Sequence, residues 1–286
     1  MKMDGKRILI TGGTGTTGGR IAKRLIASDT GNVRIASRRE PRIAGAEHVY
    51  FDWNDETTYR EALKNVNKLY LVAPVGVYDP SGVVLPFIEL ALAAGVRRIV
   101  MLSASIVADD GPVFGKLHQA VKEHAPEWAV LKPSYFMQNF INVQHRDSIV
   151  KSDEIVTASG GGKVGFVDAD DIAEVGVRAL MDDIPHNTDH VITGPEALSY
   201  SEAAEVIGKA VGRTIRHVNI SGQTLRDRLM KAGLTPDYAG FMAGLDENIK
   251  NGAEDRITDT VERVTGRKPR SLAAFAESHA SFWKTI

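Results

Sequence analysis

The sequence of 286 residues contains no cysteine. Disulfide bonds, thiolate catalysis, iron–sulfur clusters and zinc sites built on cysteine are therefore excluded. The eight histidines have no spacing typical of metal ligands. The acidic segment Asp168–Asp171 resembles a helix cap more than a cation site. We therefore expect no metal centre.

The sequence also lacks an excess of one charge and any long apolar segment. Lysine and arginine total 35, aspartate and glutamate total 36, and the formal net charge is −1. Coating nucleic acid or an anionic membrane requires a net basic field, so neither partner is expected. No signal-peptide pattern is present, and no uncharged apolar run approaches the ~18 residues of a membrane helix. We expect a cytoplasmic monomer or homodimer that acts on a small-molecule substrate.

Short aliphatic segments alternate with helical patterns through the first half of the chain. The composition, 43% hydrophobic and 25% charged, is typical of a globular protein. This alternation indicates βαβ units with parallel strands. It predicts an α/β fold, a Rossmann-like doubly wound parallel sheet with a small, mainly helical C-terminal substrate lobe. The predicted strands are Arg7–Thr11, Val33–Ser37, His48–Phe51, Leu69–Ala73, Arg98–Leu102 and Trp128–Leu131.

The second half is less regular, and the boundary between the two domains is not a single cut. The dinucleotide-binding core is predicted to comprise residues 1–133 and about 165–195. The substrate lobe is predicted over about 134–164 and 196–286. Lys163–Val167 reads as a strand, Asp170 and Asp171 are expected to cap a helix over Ile172–Met181, and Ser201 is expected to begin another helix.

A glycine-rich turn, Thr11–Gly18, directly follows the first predicted strand and precedes a predicted helix. Its GxxGxxG pattern allows a tight turn and lets backbone approach a pyrophosphate without interfering Cβ atoms. The following helix N-terminus would offer N–H donors and a partial positive charge. The alternative is a tight turn that binds nothing. The residues expected to contact a dinucleotide here are Gly12, Thr14, Gly15, Thr16, Thr17 and Gly18.

The end of the second predicted strand indicates which dinucleotide is preferred. NAD-binding folds place an acidic residue about 20 residues beyond the glycines, where it binds the ribose 2′-hydroxyl. Here that region is Ser37, Arg38 and Arg39, and guanidinium groups attract a 2′-phosphate. An exposed basic turn is the alternative. We therefore expect NADP(H), with Asp52 accepting a hydrogen bond from the adenine amino group and Trp53 beside it, although a plain loop aspartate would look the same.

The helix after the fifth strand lacks the Tyr-x-x-x-Lys pair of short-chain dehydrogenases. In the corresponding register Phe114 takes the tyrosine position and His118 the lysine position, with Lys116 two residues earlier. Phe114 cannot donate a proton. Either the chemistry needs no tyrosine acid, as in hydride addition to an iminium carbon or to acceptors protonated by solvent, or there is no chemistry. The candidate catalytic residues are Lys116, which could instead bind the nicotinamide ribose, and His118, which could instead lie on the helix surface.

Two further segments lie where a substrate would bind. Ser103 and Ser105 end the fifth strand, where we expect Ser103 to contact cofactor and Ser105 substrate, although serines also form turns there. The segment Lys132–Phe140 follows the sixth strand and mixes aromatic, thioether and amide side chains. That mixture is typical of an apolar pocket with a few orienting polar groups, and plain core packing would explain much of it equally well.

Taken together, these motifs resemble the NmrA-like, atypical short-chain dehydrogenase/reductase group. Within it, the chain is similar to the festuclavine synthase and agroclavine dehydrogenase family of ergot-alkaloid biosynthesis. The resemblance covers nearly the full length. Its segments are GGTGTTG at 12–18, LSAS at 102–105, GKLHQ at 115–119, KPSYFMQNF at 132–140, FVDADDIAEV at 166–175, ITGPEALSYSEAAEVIG at 192–208 and GAEDRITDTVERVTGRKPRS at 252–271.

The resemblance implies a Rossmann core with a small C-terminal lobe and NADPH reducing a C=N or similar bond. Around the cofactor it implies Gly12, Gly15, Gly18, Arg38, Ala73, Pro74, Val75, Pro133, Ser134, Tyr135 and Phe136. Facing the substrate it implies Tyr135, Phe136, Met137 and Asn139.

The sequence thus predicts an NADPH-dependent oxidoreductase that transfers hydride to a small organic acceptor such as an imine, iminium or quinone. The alternative is an NADP-binding redox sensor that regulates a partner without turnover, because some NmrA-like proteins are such regulators. The identity of the substrate does not carry over from the resemblance.

Overall fold

Each central strand forms from a short aliphatic segment that becomes buried. The computed structural model describes residues 7–29, 32–111 and 113–284. The strands are β1 (Arg7–Thr11), β2 (Asn32–Ser37), β3 (Glu47–Tyr50), β4 (Val66–Leu71), β5 (Arg98–Leu102), β6 (Glu127–Pro133), β7 (Glu154–Thr157), β8 (Lys163–Val164), β9 (Thr188–Ile192), β10 (Leu198–Ser199) and β11 (Arg216–Asn219).

Helices follow most of the strands, as the alternating pattern requires. They are α1 (Gly18–Ala27), α2 (Tyr59–Ala62), α3 (Ser81–Ala93), α4 (Phe114–His124), α5 (Arg146–Ser152), α6 (Ala169–Met181), α7 (Tyr200–Val211), α8 (Gly222–Lys231), α9 (Pro236–Lys250), α10 (Thr260–Thr265) and α11 (Leu272–His279). Among the described residues, none of these helices is both long enough and apolar enough to cross a membrane.

The main sheet has seven strands in the order β3-β2-β1-β4-β5-β6-β9. β1 pairs in parallel with both β2 and β4, and the pairs β2–β3, β4–β5 and β5–β6 are also parallel. This confirms the predicted Rossmann-like α/β fold. The strand order reverses direction between β1 and β4, and ligands of such sheets bind outside the carboxyl ends of the strands at this point.

The described residues divide into two compact units. The first comprises the residues up to Lys132 together with Ile172–Val191, and the second comprises Pro133–Asp171 together with the residues from Ile192 onward. In the first unit, an aromatic cluster of Phe51, Trp53, Tyr59 and Phe87 packs with ring centroids about 5–6 Å apart. The residues that follow β3 are therefore fixed by packing.

The second unit has its own core and two small sheets. β7 pairs in parallel with β11, and β8 pairs antiparallel with β10. Phe140, Phe166 and Tyr200 pack edge to face, and the buried indole of Trp283 donates a hydrogen bond of 2.7 Å to the Phe140 carbonyl. These contacts give the second unit an independent hydrophobic core.

Several predicted boundaries in the second half were wrong, and capping interactions account for the two helix starts. Lys163–Val167 forms only the two-residue β8. Helix α6 begins at Ala169, and the carboxylate of Asp168 accepts the hydrogen bond from the Asp170 N–H at 3.0 Å, so Asp168 caps the helix instead of Asp170 or Asp171.

Helix α7 also starts earlier than predicted. Ser199, not Ser201, is its N-cap, and Ser199 and Glu202 form a capping box in which each side chain accepts from the other's backbone N–H. A serine with glutamate three residues later is the usual signature of such a box. The signal was therefore present in the sequence.

Candidate functional site

The glycine turn connects β1 to α1 at the carboxyl end of the central strand. Gly12 has φ +64°, a left-handed conformation that glycine adopts without strain. The N–H of Gly15 donates to the Gly12 carbonyl at 2.8 Å and closes the turn. Thr14 and Gly15 are exposed and Thr16 is half-buried. Backbone from the middle of the turn therefore faces solvent at the edge of the sheet.

Gly18 is the most tightly constrained glycine of this turn. A Cβ atom at residue 18 would lie 2.5 Å from the Gly12 carbonyl oxygen. Thr17 precedes α1 without a side-chain cap, since its buried hydroxyl instead accepts a hydrogen bond from Tyr70 at 2.9 Å. Thr17 thus fixes the turn to β4, and of the four threonines of the turn only Thr14 and Thr16 lie where solvent reaches.

Arg38 and Arg39 follow β2 directly and are both exposed. The Ser37 hydroxyl donates to the Arg39 carbonyl at 2.6 Å, and the Ser37 carbonyl lies 3.0 Å from His48 Nε2. Within the described part of the chain, neither guanidinium group takes part in an ion pair. Arg42, which the sequence analysis did not single out, is exposed on the same loop. Glu40, also exposed on this loop, offsets part of that charge, and the three arginines leave the loop with net positive charge beside the carboxyl end of β2.

Asp52 and Trp53 follow β3 and have structural partners. One Asp52 carboxylate oxygen accepts from the backbone N–H of Asn54 at 3.0 Å, which is the pattern of an Asx turn. Trp53 packs edge to face on Phe51 and Phe87. Both contacts favour the plain-loop interpretation of Asp52, and adenine binding by this pair stays a prediction.

Ala73, Pro74 and Val75 follow β4, next to the glycine turn in the strand order. Ala73 is buried, Pro74 is half-buried and Val75 is 89% exposed. The Val72 N–H donates to the Thr11 hydroxyl at 2.7 Å, so the ends of β1 and β4 are joined at the point where the strand order reverses. Ligands of such sheets bind at this point, and the cofactor contacts of Ala73, Pro74 and Val75 stay a prediction.

His118 and Ser103 form a short hydrogen bond at the carboxyl end of β5. The imidazole Nε2 lies 2.7 Å from the Ser103 hydroxyl oxygen. His118 has no exposed surface, so the helix-surface interpretation of this histidine was wrong. Ser103 and Ser105 are both half-buried. The hydroxyl of Ser103 therefore connects the strand end to a buried titratable group.

Charged side chains from four elements surround this pair. Asp109, on the loop before α4, accepts from Lys122 at 2.7 Å and from Lys132 at 2.8 Å. Its carboxylate also lies 3.5 Å from His118 Nδ1, which is too long for a good hydrogen bond. Lys122 contacts Asp189 of β9 at 2.8 Å. The cluster is a network of two carboxylates and two ammonium groups around one imidazole.

Burial and the contacts within this network shift the pKa values of His118 and Asp109. Burial lowers the pKa of His118 below its ordinary value of 6.5, and the charge of Lys132 lowers it further, while Asp109 acts in the opposite direction. Hydrogen bonds from Lys122 and Lys132 hold the pKa of the Asp109 carboxyl well below its usual range. The resting state is therefore a neutral imidazole beside an ionised carboxylate.

Lys116 and His118 do not come together. The two residues are two positions apart on α4, about 200° around the helix, and Lys116 is exposed whereas His118 is buried. The lysine next to His118 is Lys132, from the end of β6. Pro112, two residues before Phe114, lies outside the described residues. A role for Lys116 in binding the nicotinamide ribose stays a prediction.

In the second unit, Ser134 and Tyr135 lie among acidic groups. The buried Ser134 hydroxyl donates to Glu254 at 2.7 Å, and Glu254 is itself 1% exposed. Burial raises the pKa of the Tyr135 phenol well above its ordinary value, and the charges of Asp246 and Glu254 raise it further. The Tyr135 phenol is therefore neutral and can donate a hydrogen bond.

The remaining predicted residues of this segment differ in accessibility. Phe136 and Asn139 are half-buried, while Pro133 is buried. Met137 has no exposed surface and lies in the hydrophobic core, which favours the core-packing alternative for that residue. Among the residues that the structure describes, no group of three or more acidic or histidine side chains is arranged to hold a metal ion.

Comparisons with known proteins agree on one family. The model of the NmrA-like family matches residues 4–276. The chain is 61% identical to an uncharacterized oxidoreductase of Bacillus subtilis (strain 168), over 98% of this chain and 97% of that protein. It is 36% identical to agroclavine dehydrogenase of Claviceps fusiformis, over 96% and 98% of the two chains.

A solved structure shares the fold at lower identity. The NADPH-dependent quinone oxidoreductase of Escherichia coli, solved in complex with NADPH, superposes with a TM-score of 0.79 at 21% identity, over 95% of this chain and 99% of that one. At this identity the likeness shows the fold alone. The two sequence relatives named above are called an oxidoreductase and a dehydrogenase, and both match over nearly their whole length.

Proposed function

We propose that this chain, which belongs to the NmrA-like family, is an NADPH-dependent oxidoreductase that transfers hydride to a small organic acceptor. When bound, the reduced nicotinamide supplies the hydride, and the chain supplies binding, orientation and electrostatics. The acceptor class is an imine, an iminium ion, a quinone or a similar electron-poor group.

The glycine turn with the arginines that follow β2 carries the proposal. Gly18 must lack a side chain for α1 to approach Gly12 so closely, and the exposed backbone around Gly15 lies at the start of that helix. Helix N-termini bind phosphate through free N–H groups and the helix dipole. The residues of the turn therefore fit the pyrophosphate of a dinucleotide.

The preference for NADPH rests on charge. Arg38 and Arg39 are exposed without an ion-pair partner in the described chain, and no carboxylate from the end of β2 is paired with either of them. A guanidinium can hold a phosphate through two parallel hydrogen bonds. A charge-assisted bond of this kind contributes about 1.5–3 kcal/mol, roughly a 10- to 150-fold preference for the nucleotide with the 2′-phosphate.

The relatives support the same class of activity. The Bacillus protein is named an oxidoreductase, the Claviceps protein a dehydrogenase, and the Escherichia coli enzyme was solved with NADPH. The absence of a tyrosine acid at Phe114 favours acceptors whose reduction does not depend on such a residue. An iminium ion is the simplest case, because hydride addition gives a neutral amine.

The test is to measure nucleotide binding by calorimetry for the wild type, Arg38→Asp and Arg97→Asp. Arg97 precedes β5 and is exposed, so Arg97→Asp makes the same charge change at the opposite edge of the sheet. We expect Arg38→Asp to weaken NADPH about 10- to 150-fold and NADH by less than about threefold. Arg97→Asp should change neither. Equal losses for both nucleotides would refute the assignment of the 2′-phosphate site.

A redox sensor is the competing interpretation. It requires NADPH binding without turnover, so NADPH oxidation is followed with a panel of imines, iminium salts, quinones and enones. Turnover of any acceptor at more than the uncatalysed rate supports the enzyme. Tight binding with no turnover across the panel would favour the sensor.

A further inference from the structure

We propose that Ser103 is a catalytic residue that delivers a proton to neutral acceptors, with His118 acting as the positioning residue that replaces this proton. The inference rests on the proposed function and extends it, because it supplies the proton source that the missing tyrosine leaves open. It also divides the possible acceptors into two classes, neutral ones that need the proton and cationic ones that do not.

Geometry places the two residues for this role. Ser103 directly follows β5, at the sheet edge where ligands of this fold bind, and its N–H donates to the Leu131 carbonyl at 2.8 Å, which fixes its backbone. Its hydroxyl lies 2.7 Å from His118 Nε2, within the range for proton transfer. Ser103 is half-buried whereas His118 has no exposed surface. Of the two residues only Ser103 has exposed surface, so the imidazole must act through it.

The second ring nitrogen of His118 has an unusual environment. Nδ1 is buried and has no hydrogen-bond partner among the described residues, and such orphaned atoms are rare enough to call for an explanation. The nearest ionised group is the Asp109 carboxylate at 3.5 Å. A carboxylate there favours a proton on Nδ1 over a bare lone pair, which leaves Nε2 to exchange protons with Ser103.

Charged groups face His118 from four elements. Asp109 comes from the loop before α4, Lys132 from β6, Lys122 from α4 itself and Asp189 from β9. The two carboxylates balance the two ammonium groups, so a neutral imidazole leaves the cluster without net charge. A protonated imidazole adds one positive charge to a buried site, and this makes the imidazolium a stronger acid than free histidine.

In the reduction of a neutral imine, each bond formed is matched by a bond broken. The carbon gains hydride with its electron pair from the reduced nicotinamide, and the C=N double bond becomes a single bond. The nitrogen gains the hydroxyl proton of Ser103, whose O–H bond breaks. His118 reacts as the imidazolium, the minor form above its lowered pKa, which takes its second proton from water before the step. Its Nε2–H bond breaks in turn and restores the Ser103 hydroxyl, and the ring returns to its neutral resting form with the proton on Nδ1.

A matched pair of acceptors tests the relay. 3,4-Dihydroisoquinoline is a neutral imine that needs a proton, and its N-methyl iminium salt has the same skeleton and needs none. We expect Ser103→Ala and His118→Asn each to lower kcat/KM for the neutral imine about 10²-fold or more at pH 8, as for loss of a general acid. The iminium salt should change less than threefold. The double variant should lose no more than either single variant, because the two residues act in series.

The pH profile and a control histidine variant distinguish a proton relay from a purely structural role of Ser103 and His118. His124→Gln alters an exposed histidine on the same helix and should leave both reactions unchanged. Wild-type reduction of the imine should fall as pH rises and show a solvent deuterium isotope effect that Ser103→Ala abolishes, whereas reduction of the iminium salt should be flat. An imine rate that stays within threefold of wild type in Ser103→Ala, with NADPH still bound, overturns the relay and leaves the proposed function intact.

An NMR measurement on the nucleotide-free protein completes the test. Nitrogen-15 NMR of the nucleotide-free protein should find His118 titrating below 6.5, with the proton of the neutral form on Nδ1. Asp109→Asn should lower the His118 pKa further, because the carboxylate that stabilises the imidazolium is gone. A neutral form protonated on Nε2, or a pKa above 6.5, overturns the relay whether or not any acceptor is turned over. Absence of NADPH binding to the wild type would instead overturn the proposed function.

Discussion

The glycine turn and the His118 cluster lie at carboxyl ends of strands in the same sheet, yet they are built in different ways. The turn is one continuous segment, Gly12–Gly18, and its shape comes from backbone hydrogen bonds and missing Cβ atoms. The cluster gathers side chains from residues as far apart as Ser103 and Asp189. The glycine turn therefore depends on its backbone, whereas the His118 cluster depends on its side chains.

This difference determines how each site responds to change. A glycine in a crowded turn has no tolerated substitute. Replacing it should therefore weaken both the stability of the fold and nucleotide binding. In the cluster, Asp109 and Lys122 each have two oppositely charged partners. Removing one group should mainly shift the protonation of the others, since the remaining charges redistribute around it.

The largest effect is expected at Gly18. In Gly18→Ala the new Cβ would lie 2.5 Å from the Gly12 carbonyl oxygen, so the turn and α1 must separate. We expect NADPH affinity to fall more than about 100-fold, together with a loss of stability of about 1–3 kcal/mol. Calorimetry and urea denaturation measure the two quantities.

Gly82→Ala is the matched control. Gly82 is the second residue of α3, and a Cβ there meets no atom within 4 Å. Alanine is also the better helix former by up to ~1 kcal/mol. This variant should bind NADPH as the wild type does. If Gly18→Ala and Gly82→Ala behave alike, the turn does not depend on its missing side chains.

A second buried histidine tests whether burial alone produces the properties of His118. His145, in the second unit, is 4% exposed, and burial lowers its pKa to about 4, with a further contribution from His217. In the folded state the His145 ring therefore takes up its proton only well below pH 6.5, whereas in the unfolded chain it does so near pH 6.5. Stability from this group is fully present above pH 6.5 and is lost as pH falls toward 4, by an amount on the order of 2 kcal/mol near pH 4.5.

In His145→Phe this pH dependence should disappear, because the ring no longer titrates and can still pack on Phe140 and Tyr200. The free energy of unfolding, measured at intervals from pH 7 to 4.5, should fall less steeply than in the wild type. His124→Gln, which changes an exposed histidine, should retain the wild-type slope. A wild-type slope in His145→Phe would mean that His145 is not the group responsible.

The smallest effect is expected from Lys132→Met. Lys132 is one of two lysines bonded to Asp109, and its charge lowers the pKa of His118. Removing the charge should raise the His118 pKa, while Lys122 still holds Asp109. NMR titration of the His118 ring detects the shift, and Lys64→Met, at an exposed lysine, serves as the control. An unchanged or lowered His118 pKa in Lys132→Met would contradict the electrostatic description of the cluster.

The first half of the fold was predictable because its signals are local. Arg7–Thr11 and Arg98–Leu102 were predicted to the residue, since each is a short aliphatic segment bounded by turn or charged residues. The start of α3 at Ser81 has no such local signal, because Pro86 lies inside this helix and proline usually marks a helix beginning or end. The cap of α7 was missed by two residues although its signature was in the sequence.

The His118 cluster could not be predicted in the same way. The sequence places His118 on a helix, but only packing decides that it has no exposed surface while Lys116, two residues away, is exposed. Nothing in the order of residues shows that Lys132 and Asp109 meet, 23 positions apart. Their contact depends on β6 lying beside β5 in the sheet.

The amino-acid sequence by itself determined the strand and helix pattern, the glycine turn and the arginines after β2, because each depends on residues adjacent in the chain. Tertiary structure alone decided which polar side chains meet at the end of β5. Hydrogen bonds and ion pairs between side chains act over only a few ångströms, so they form where the packed strands and helices bring distant residues together.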